Sequence, residues 1–383
     1  MTVIAAISLA IWIYLLAAHG RFWQSGPTLA VSPPTTTPAV AAIVPARDEA
    51  PLIARTLGSL LAQDYPGPFR VILVDDNSTD GSAKIARALN SPRLTVLSGA
   101  PRPPTWAGKL WAVAQGIAEA EEADFLLLTD ADVEHDPAHV ATLIAHAERH
   151  ELDLVSEMVA LSCATWAEHA LIPAFIFFFQ LLYPFERVND PLRATAAAAG
   201  GTVLIRRRAL TRMGGIKSIR SALIDDVALA AKIKIGGPIW LGHASMARSI
   251  RPYPRLADIW RMITRSAYVQ LRHSPVLLVV CTIAMALVWI VPPLAVILGP
   301  ATARILGALT WAAMAWSYLP TLRRFGLSLL WAPCLPVIAL FYLVATVCSA
   351  VNHHFGRGVA WKGRAYDFSR HGRDNVLGHR PKG

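Results

Sequence analysis

Two aspartates that follow an apolar run are the residues of this sequence best suited to metal chemistry. Asp130 and Asp132 come directly after F-L-L-L-T at residues 125–129, a run that predicts a buried parallel strand. Side chains two positions apart on an extended chain point to the same side. Two carboxylates placed in this way form a hard-oxygen site for Mg²⁺ or Mn²⁺, and such a cation stabilises the charge of a departing diphosphate. The alternative interpretation is a polar turn at the end of a strand.

A second acidic pair lies further along the chain. Asp225 and Asp226 occur in A-L-I-D-D-V-A-L-A, at the start of a predicted helix, where acids also stabilise the helix dipole. A single-displacement group transfer needs one carboxylate on the acceptor side and a cation on the leaving-group side, and this pair is the remaining candidate base. Asp136, followed by Pro137, is explained instead as the N-cap of a helix that runs to His150.

Strands and helices alternate around these acids. The predicted strands are Ala39–Val44, Arg70–Val74, Leu94–Leu97 and residues 125–129. Three helices are predicted between them: the first runs from Pro51 to about Gln63, the second follows the polar turn after Val74 and ends at Asn90, and the third follows Trp106–Lys109 and ends at about Ala120. Strands that end in polar turns and open into helices build βαβ units. The pattern predicts an α/β domain with a mostly parallel, Rossmann-like sheet, which binds its ligands beyond the carboxyl ends of the strands.

Gly200 and Gly201 stand before a further apolar strand, V-L-I, which exits into R-R-R. Paired glycines at this position predict a close approach of the backbone to a ligand, and a simple β-bulge is the alternative.

The composition indicates a membrane-associated protein with a globular central domain. Its 383 residues are 54% hydrophobic with a mean hydropathy of +0.42, too apolar for an ordinary soluble domain. The apolar residues concentrate at both ends, and residues 39–255 have the composition of a globular domain. The net charge is +10, but the basic residues lack the aromatic and glycine pattern of a nucleic-acid module. Anionic lipid headgroups and a nucleotide diphosphate are therefore favoured over nucleic acid as partners.

The four cysteines show no paired spacing. This predicts neither a disulfide nor a zinc site, which suits a catalytic domain in a reducing compartment.

Apolar runs predict membrane segments at both ends of the chain. Thr2–Ala18 is an apolar run followed by R-F-W, and it predicts an N-terminal anchor, since a cleaved signal peptide would carry a basic start. Three further stretches follow residue 275: Val276–Leu298, Ala303–Leu319 and Leu327–Val351. Arg323 and Arg324 predict that the second loop is cytoplasmic. The basic tail also favours the inside, so that one stretch could be re-entrant, and the number of spans stays open.

Two other segments could touch the membrane. Ala170–Leu182 is apolar all round but short, so that it is either a buried core helix or a surface that dips into lipid, with the second favoured. Residues 254–274 have helical apolar spacing with Arg261, Arg265 and Arg272 on the remaining face. They predict an in-plane amphipathic helix, whose arginines could alternatively face the active site.

Four motifs together resemble those of the family 2 glycosyltransferases. P-A-R-D-E, V-D-D-N-S-T-D-G, T-D-A-D and I-D-D-V-A-L-A occur in the order and spacing typical of that family, which has a nucleotide-sugar-binding GT-A fold. More narrowly, G-K-L-W-A-V-A-Q-G, F-F-F-Q-L-L-Y-P-F, A-A-A-A-G-G and I-W-R-M are similar to segments of the hopene-associated glycosyltransferases of bacterial hopanoid gene clusters. That likeness covers Ala39 to about Ser274, and the ceramide-glucosyltransferase-like enzymes are more distantly similar.

The resemblance implies roles for the matching positions. Residues implied to bind the nucleotide sugar are Pro45, Ala46, Arg47, Glu49, Asp75, Asp76, Lys109 and Asp130, and those implied for the metal are Asp130 and Asp132. Asp226 would be the general base that activates the acceptor hydroxyl, with Asp225 beside it in place of the usual glutamate. Gly200, Gly201 and Arg265 would lie near the acceptor or the diphosphate.

One departure from the family concerns the product. Polymer-forming members carry Gln-x-x-Arg-Trp, whereas M-I-T-R-S at residues 262–266 keeps Arg265 and lacks the tryptophan. A single transfer to a lipid is therefore favoured over processive synthesis.

These observations predict the domain organisation and the reaction together. We expect an N-terminal transmembrane anchor at residues 1–20, a GT-A domain at 39–253, an interfacial helix at 254–274, membrane segments at 276–351 and a basic tail at 352–383. The expected protein is multi-pass in the bacterial inner (cytoplasmic) membrane, with a cytoplasmic catalytic domain. It would transfer a sugar, with inversion, from a UDP-sugar to a lipid such as a hopanoid, using Mg²⁺ or Mn²⁺. Polyprenyl phosphate as the acceptor, and a non-catalytic membrane scaffold, are the alternatives.

Overall fold

The computed structural model of the protein describes residues 1–355, 360–361 and 364–365. Most of the predicted basic tail at 352–383 therefore lies outside the described residues. The strands are β1 Val40–Ala46, β2 Phe69–Asp75, β3 Leu94–Ser98, β4 Phe125–Thr129, β5 Val133–His135, β6 Leu154–Ala160, β7 Thr202–Arg206, β8 Ile239–Ser249, β9 Ala360–Trp361 and β10 Arg364–Ala365.

The helices occur both between these strands and in a separate bundle. They are α1 Thr2–Ala18, α2 Ile53–Leu61, α3 Ser82–Ala88, α4 Gly108–Glu119, α5 His139–Arg149, α6 Trp166–Leu182, α7 Phe185–Asn189, α8 Arg207–Arg212, α9 Asp225–Lys234, α10 Leu256–Gln270, α11 Pro275–Met285, α12 Val291–Leu298, α13 Ala301–Arg324 and α14 Leu335–His354. The strands and helices predicted before residue 150 are found, with ends shifted by a few residues. The predicted N-cap is wrong, because α5 begins at His139 with Ala138, not Asp136, as its N-cap.

A mixed eight-stranded sheet forms the centre of the α/β domain, in the order β3-β2-β1-β4-β7-β6-β8-β5. Strands β3, β2, β1 and β4 are parallel neighbours, as the sequence predicts, and β6 is parallel to β8. The second half is mixed, because β7 lies antiparallel between β4 and β6 and β5 lies antiparallel to β8. Since β1, β4 and β6 point in the same direction, their carboxyl ends share one edge of the sheet.

Burial on both faces explains the unbroken apolar strands. Along β1, Ala41 and Ile43 pack into one apolar cluster while Val40, Ala42 and Val44 pack into another on the opposite face, and all are at most 1% exposed. A strand covered on both faces gains from apolar side chains at every position.

Helix α6 joins the α/β domain to the helical bundle. Its start is fixed by a capping box, in which Thr165 accepts the Glu168 N–H and Glu168 accepts the Thr165 N–H. Phe177 is fully buried, and Tyr342 of α14 donates to the Leu171 carbonyl at 2.9 Å. Of the two interpretations of this segment, the buried core helix is therefore correct, and the favoured lipid-dipping surface is not.

Two helices of the described residues are long and apolar enough to cross a membrane, namely Pro275–Leu298 and Leu329–His354. Helix α1 is also apolar but shorter, at 17 residues. The amphipathic helix predicted at 254–274 is α10, which buries Ile259 and Ile263 and leaves Arg261 exposed.

Helix α1 is held to the bundle at a distortion caused by proline. Residues 286–290 form a π-helical turn just before Pro292. Because Pro292 has no N–H, it cannot donate to the carbonyl of Val288, four residues earlier. The Trp12 indole N–H donates to that carbonyl at 2.9 Å, and Ser8 donates to the Leu287 carbonyl at 2.7 Å. Side chains of α1 thus satisfy backbone groups that the distorted helix leaves open.

Candidate active site

Four acidic or basic side chains meet at the carboxyl edge of the sheet. Asp130 follows β4, Lys109 is the second residue of α4, and Asp225 and Asp226 are the first residues of α9. The Lys109 Nζ lies 2.9 Å from Asp130 Oδ1 and 3.3 Å from Asp225 Oδ2. The sequence predicts each of these residues, and the structure brings them together around one lysine.

Gly200 belongs to the same cluster. Its N–H donates to Asp226 Oδ2 at 2.8 Å, and a β-carbon at this position would lie 3.3 Å from both Asp226 Oδ2 and Lys109 Nζ. The Gly200 backbone therefore lies close to a carboxylate of this cluster, and its predicted approach to a ligand stays a prediction. Pro45 lines the same cavity as Lys109, Asp130 and Asp226.

The lysine is held in its charged form. Burial by itself lowers the pKa of Lys109, but the carboxylates of Asp130 and Asp225 outweigh burial and raise the pKa above its usual range. Burial raises the pKa of Asp130, with Lys109 opposing and the charge of Asp132 adding to the rise. The interaction between the two aspartates is consistent with the predicted carboxylate pair at the strand end.

Asp226 is poised to exchange a proton near neutral pH. Burial, and then the charge of Asp225, raise the pKa of Asp226 to about 7, although Lys109 opposes them. Its two oxygens accept the N–H groups of Gly200 and Val227, each at 2.8 Å. A carboxylate whose pKa matches the working pH is an effective general base.

An arginine that the sequence does not reveal holds Asp132. The Arg251 Nε lies 2.7 Å from Asp132 Oδ2, and its Nη2 lies 2.7 and 2.8 Å from the two oxygens of Glu49. Glu49 and Asp132, predicted for the nucleotide and the metal, are thereby joined. No motif surrounds Arg251. Its position depends on the pairing of β8 with β5 and β6, which the sequence pattern does not predict.

The other predicted nucleotide residues gather at the ends of β1 and β2. The Arg47 Nη1 donates to the Asp76 carbonyl at 2.6 Å, and the Asp76 N–H donates to the Ala46 carbonyl at 2.8 Å. Asp75 is 7% exposed, and within the described residues its Oδ1 has no hydrogen-bond partner. A buried carboxylate oxygen without a donor is suited to accept an N–H from a bound base.

Arg265 and Gly201 lie nearer the edge of this group. Arg265 is near enough to Tyr253 to affect its pKa, which burial raises, with the charge of Asp132 adding and those of Arg251 and Arg265 opposing. Gly201 packs against β6, since a β-carbon there would lie 2.7 Å from the Val159 side chain. Gly201 is therefore required by packing.

The fit of a divalent cation rests on Asp130 and Asp132. No group of three or more His, Cys, Asp or Glu side chains that could hold a metal occurs among the described residues. Mg²⁺ commonly binds through one or two carboxylates and completes its coordination with substrate phosphates. Each carboxylate already forms a salt bridge, Asp130 with Lys109 and Asp132 with Arg251. This donor set fits a cation that arrives with a diphosphate better than a permanently bound ion.

A chain of buried hydrogen bonds links Glu157, through two histidines and Thr129, to the backbone of Gly201 beside the cluster. Glu157 Oε2 lies 2.7 Å from His139 Nε2, the Nδ1 atoms of His139 and His135 are 2.8 Å apart, and His135 Nε2 lies 2.9 Å from Thr129 Oγ1. Thr129 in turn donates to the Gly201 carbonyl at 2.8 Å. Burial, with the neighbouring His139, lowers the pKa of His135 well below its usual value. The i, i+4 spacing of the histidines was the available sequence signal for this chain.

Acids and a lysine at the carboxyl edge of a mixed α/β sheet lie where such sheets commonly bind their ligands. Residues 41–214 match the family model described as Glycosyl transferase family 2. This match covers somewhat less than half of the chain, and it agrees with the enzyme class predicted from the sequence.

Two known proteins are similar to parts of the chain. The 4,4'-diaponeurosporenoate glycosyltransferase of Staphylococcus haemolyticus is 34% identical over 109 residues, which are 28% of this chain and 28% of that protein. The aligned region thus spans little more than a quarter of that relative. The mannosyltransferase PcManGT from Pyrobaculum calidifontis, in complex with GDP-Man and Mn²⁺, matches with a TM-score of 0.53 and 21% identity, over 90% of this chain and 99% of its own. This likeness confirms a GT-A-type fold.

Proposed function

We propose that the chain is a membrane-associated, inverting glycosyltransferase that moves one sugar from a nucleotide sugar to a lipid hydroxyl. The observation that carries the proposal is Asp226, a carboxylate with a pKa of about 7 in the same cavity as Lys109 and Asp130. One side of the cavity can activate an acceptor while the other neutralises a leaving diphosphate.

The donor side would consist of the residues at the ends of β1, β2 and β4. Arg47 and Asp75 would hold the nucleoside, with the free Asp75 Oδ1 accepting an N–H of the base. Lys109 would place its ammonium group against the diphosphate. Asp130 and Asp132 would hold Mg²⁺ or Mn²⁺, which supplies further positive charge to the leaving group when bound.

On the acceptor side, Asp226 would remove the proton from the acceptor hydroxyl. The oxygen would then attack the anomeric carbon from the face opposite the diphosphate, so that the carbon–oxygen bond to the phosphate breaks and the configuration inverts. The proton would remain on Asp226, whose raised pKa accommodates it. The Gly200 and Val227 N–H groups fix the direction of the carboxylate throughout.

A lipid acceptor is supported by the helices around the domain. Two of them are long and apolar enough to span a membrane, and a similar protein is named for glycosylating 4,4'-diaponeurosporenoate. The motif resemblance adds hopanoids as a candidate class, and the missing tryptophan after Arg265 favours a single transfer. Arg323 and Arg324 at the end of α13 favour a cytoplasmic location for the catalytic domain.

The test uses the full chain, purified in detergent, with UDP- and GDP-sugars, Mn²⁺ and a hopanoid alcohol. We expect metal-dependent donor binding and a glycolipid of inverted anomeric configuration, read by NMR. Asp132→Ala should weaken donor binding, whereas Glu134→Gln, which removes a nearby acid paired with Arg55, should not. The proposal fails if no nucleotide sugar binds with Mn²⁺ present and Asp132→Ala behaves like the wild type. Transfer to polyprenyl phosphate would correct the acceptor class only.

A further inference from the structure

A second cavity lies where the α/β domain meets the end of helix α13. Its volume is about 830 Å³, which is within the range of small-molecule binding sites. The residues around it are Ser25, Thr28, Met158, Val159, Ala160, Leu161, Cys163, Ile176, His243, Ala244, Ser245, Pro320, Arg323, Arg324 and Phe325. None of them is assigned to the donor or the acceptor chemistry above.

The cavity has two cationic side chains and no acidic one. Arg323 and Arg324 both line it, and in the described part of the chain no carboxylate lies within salt-bridge distance of either guanidinium. The contact described for Arg324 is a hydrogen bond of 3.3 Å to the Ala244 carbonyl. Burial lowers the pKa of Arg324, with the charge of Glu157 opposing, but Glu157 is already hydrogen-bonded to His139.

A buried polar atom beside the arginines also lacks a partner. His243 is 2% exposed, and its Nε2 has no hydrogen-bond partner within the described residues. Burial, with the charge of Arg324, lowers the pKa of His243 to about 3, so that the ring is neutral at physiological pH. A neutral imidazole can donate one N–H without adding charge.

Basic residues at the end of a helix have a simpler explanation, which covers only part of these facts. Arg323 and Arg324 stabilise the carboxyl end of α13 and suit a cytoplasmic loop. That explanation does not account for a cavity of about 830 Å³ between them and the sheet. It also leaves the His243 Nε2 without a partner.

The rest of the wall is mainly apolar. Met158, Leu161, Ile176 and Phe325 contribute hydrocarbon and aromatic surface. A cavity with guanidinium groups and an apolar wall is complementary to a molecule that carries an anionic head on an alkyl chain. Arginine binds phosphate oxygens in pairs through its planar fork, which a carboxylate-free site leaves available.

The cavity is adjacent to the catalytic cluster without being part of it. Val159 lines the cavity and packs against Gly201, the neighbour of Gly200. The catalytic cavity is lined by Lys109, Asp130 and Asp226, none of which lines the second one.

We propose that this second cavity binds a phosphate group carried by an amphipathic molecule, with Arg323 and Arg324 on the phosphate and the apolar wall on the alkyl part. The inference concerns binding alone and does not depend on the proposed transfer reaction.

The test measures binding to the full chain in neutral detergent after delipidation, by native mass spectrometry. The probes are dioleoyl phosphatidic acid, dioleoylglycerol, which has the same tails without the phosphate, and inorganic phosphate. We expect one phosphatidic acid to bind saturably and dioleoylglycerol to bind at least about tenfold more weakly, since a charge-assisted contact is equivalent to about one decade in affinity. If the phosphate group alone is recognised, inorganic phosphate should displace phosphatidic acid at equal phosphate concentration. If it does not, the ligand is a phosphate attached to a lipid.

The variants separate the charge from the apolar wall. Arg323→Gln with Arg324→Gln should weaken phosphatidic acid binding at least about tenfold. The matched control, Arg193→Gln with Arg208→Gln, removes two exposed guanidiniums from the α/β domain and should stay within about twofold of the wild type. Ala160→Trp, which fills the cavity without changing its charge, should also reduce binding of the lipid.

Two results would overturn the inference. One is phosphatidic acid binding that is equal in the wild type and in the arginine double variant. The other is equal binding of phosphatidic acid and dioleoylglycerol, which would show that the cavity recognises tails alone. Melting temperatures of all variants, measured in the same detergent, distinguish loss of binding from loss of the fold.

Discussion

Replacing Asp226 with asparagine removes the proposed base while keeping the shape of the side chain. The carboxylate accepts two N–H groups, from Gly200 and Val227. An asparagine oxygen can accept one of them, but its NH₂ group would face the other donor, so that one hydrogen bond is lost at a cost of about 1 kcal/mol. The fold should therefore survive, and the main effect should be on the chemical step.

The expected size of that effect follows from the role of the group. A positioned general base contributes about 10²- to 10⁴-fold in rate, or about 3 to 5 kcal/mol of activation free energy. Because the pKa of Asp226 is about 7, the carboxylate is about one-eleventh ionised at pH 6 and about ten-elevenths at pH 8. The wild-type rate should rise about tenfold between these values, and the residual rate of Asp226→Asn should not.

The assay is the initial rate of glycolipid formation at saturating donor, from pH 5.5 to 8.5, with the KM of the nucleotide sugar measured alongside. We expect kcat to fall and the donor KM to stay within a few-fold, because the donor is held by other residues. Asp64→Asn, at an exposed loop position, is the matched control. If Asp226→Asn keeps more than about a tenth of the wild-type rate, or keeps its pH dependence, Asp226 is not the base.

The pH dependence of stability provides an independent check of the Asp226 pKa, because ionisation of Asp226 should raise the rate but lower the stability of the folded protein. The pKa of Asp226 is raised in the folded state, from 3.8 to about 7, so the folded protein binds more protons than the unfolded chain within this interval. Its contribution to stability is therefore lost as the pH rises through the interval. The melting temperature of Asp226→Asn, relative to the wild type, should increase from pH 4 to pH 8. A decrease would contradict the assigned pKa shift.

Three further perturbations test other parts of the site. Lys109→Met removes the cation between the acids, and should weaken nucleotide-sugar binding about tenfold or more by calorimetry; unchanged affinity would exclude a diphosphate contact. Glu157→Ala leaves the buried His139 Nε2 without its acceptor and should lower the free energy of unfolding by about 3 kcal/mol or more in urea, while Glu157→Gln, which keeps an oxygen, should lower it less. Gly201→Ala places a β-carbon 2.7 Å from the Val159 side chain and should cost about 1 to 3 kcal/mol by the same measurement; a neutral effect would show that β6 and β7 can separate.

Strand β4, which ends just before Asp130, could be predicted because its apolar run is a local feature of the sequence. A continuous apolar run is needed by any strand buried on both faces, and the polar residues at its end then mark the edge of the sheet. The same reasoning located Asp225 and Asp226 at the start of a helix. These predictions need no knowledge of distant parts of the chain.

Arg251 could not be predicted in the same way. It is separated from its partner Asp132 by 119 positions, and only the order of the strands brings them together. Helix α6 was assigned to the wrong environment for a different reason. A segment that is apolar all round is equally suited to a protein core and to lipid, so the sequence does not distinguish them. Pairing and environment are properties of the whole fold.

The attachment of α1 to the bundle has a consequence for the order in which the protein is made. Trp12 and Ser8 donate to the carbonyls of Val288 and Leu287, which are 276 and 279 positions later in the chain. At a synthesis rate of about 5 to 20 residues per second, α1 leaves the ribosome about 15 to 55 s before its partners exist. During this time the Trp12 indole and the Ser8 hydroxyl cannot make these two contacts. The first helix to be made is therefore among the last to reach its final contacts.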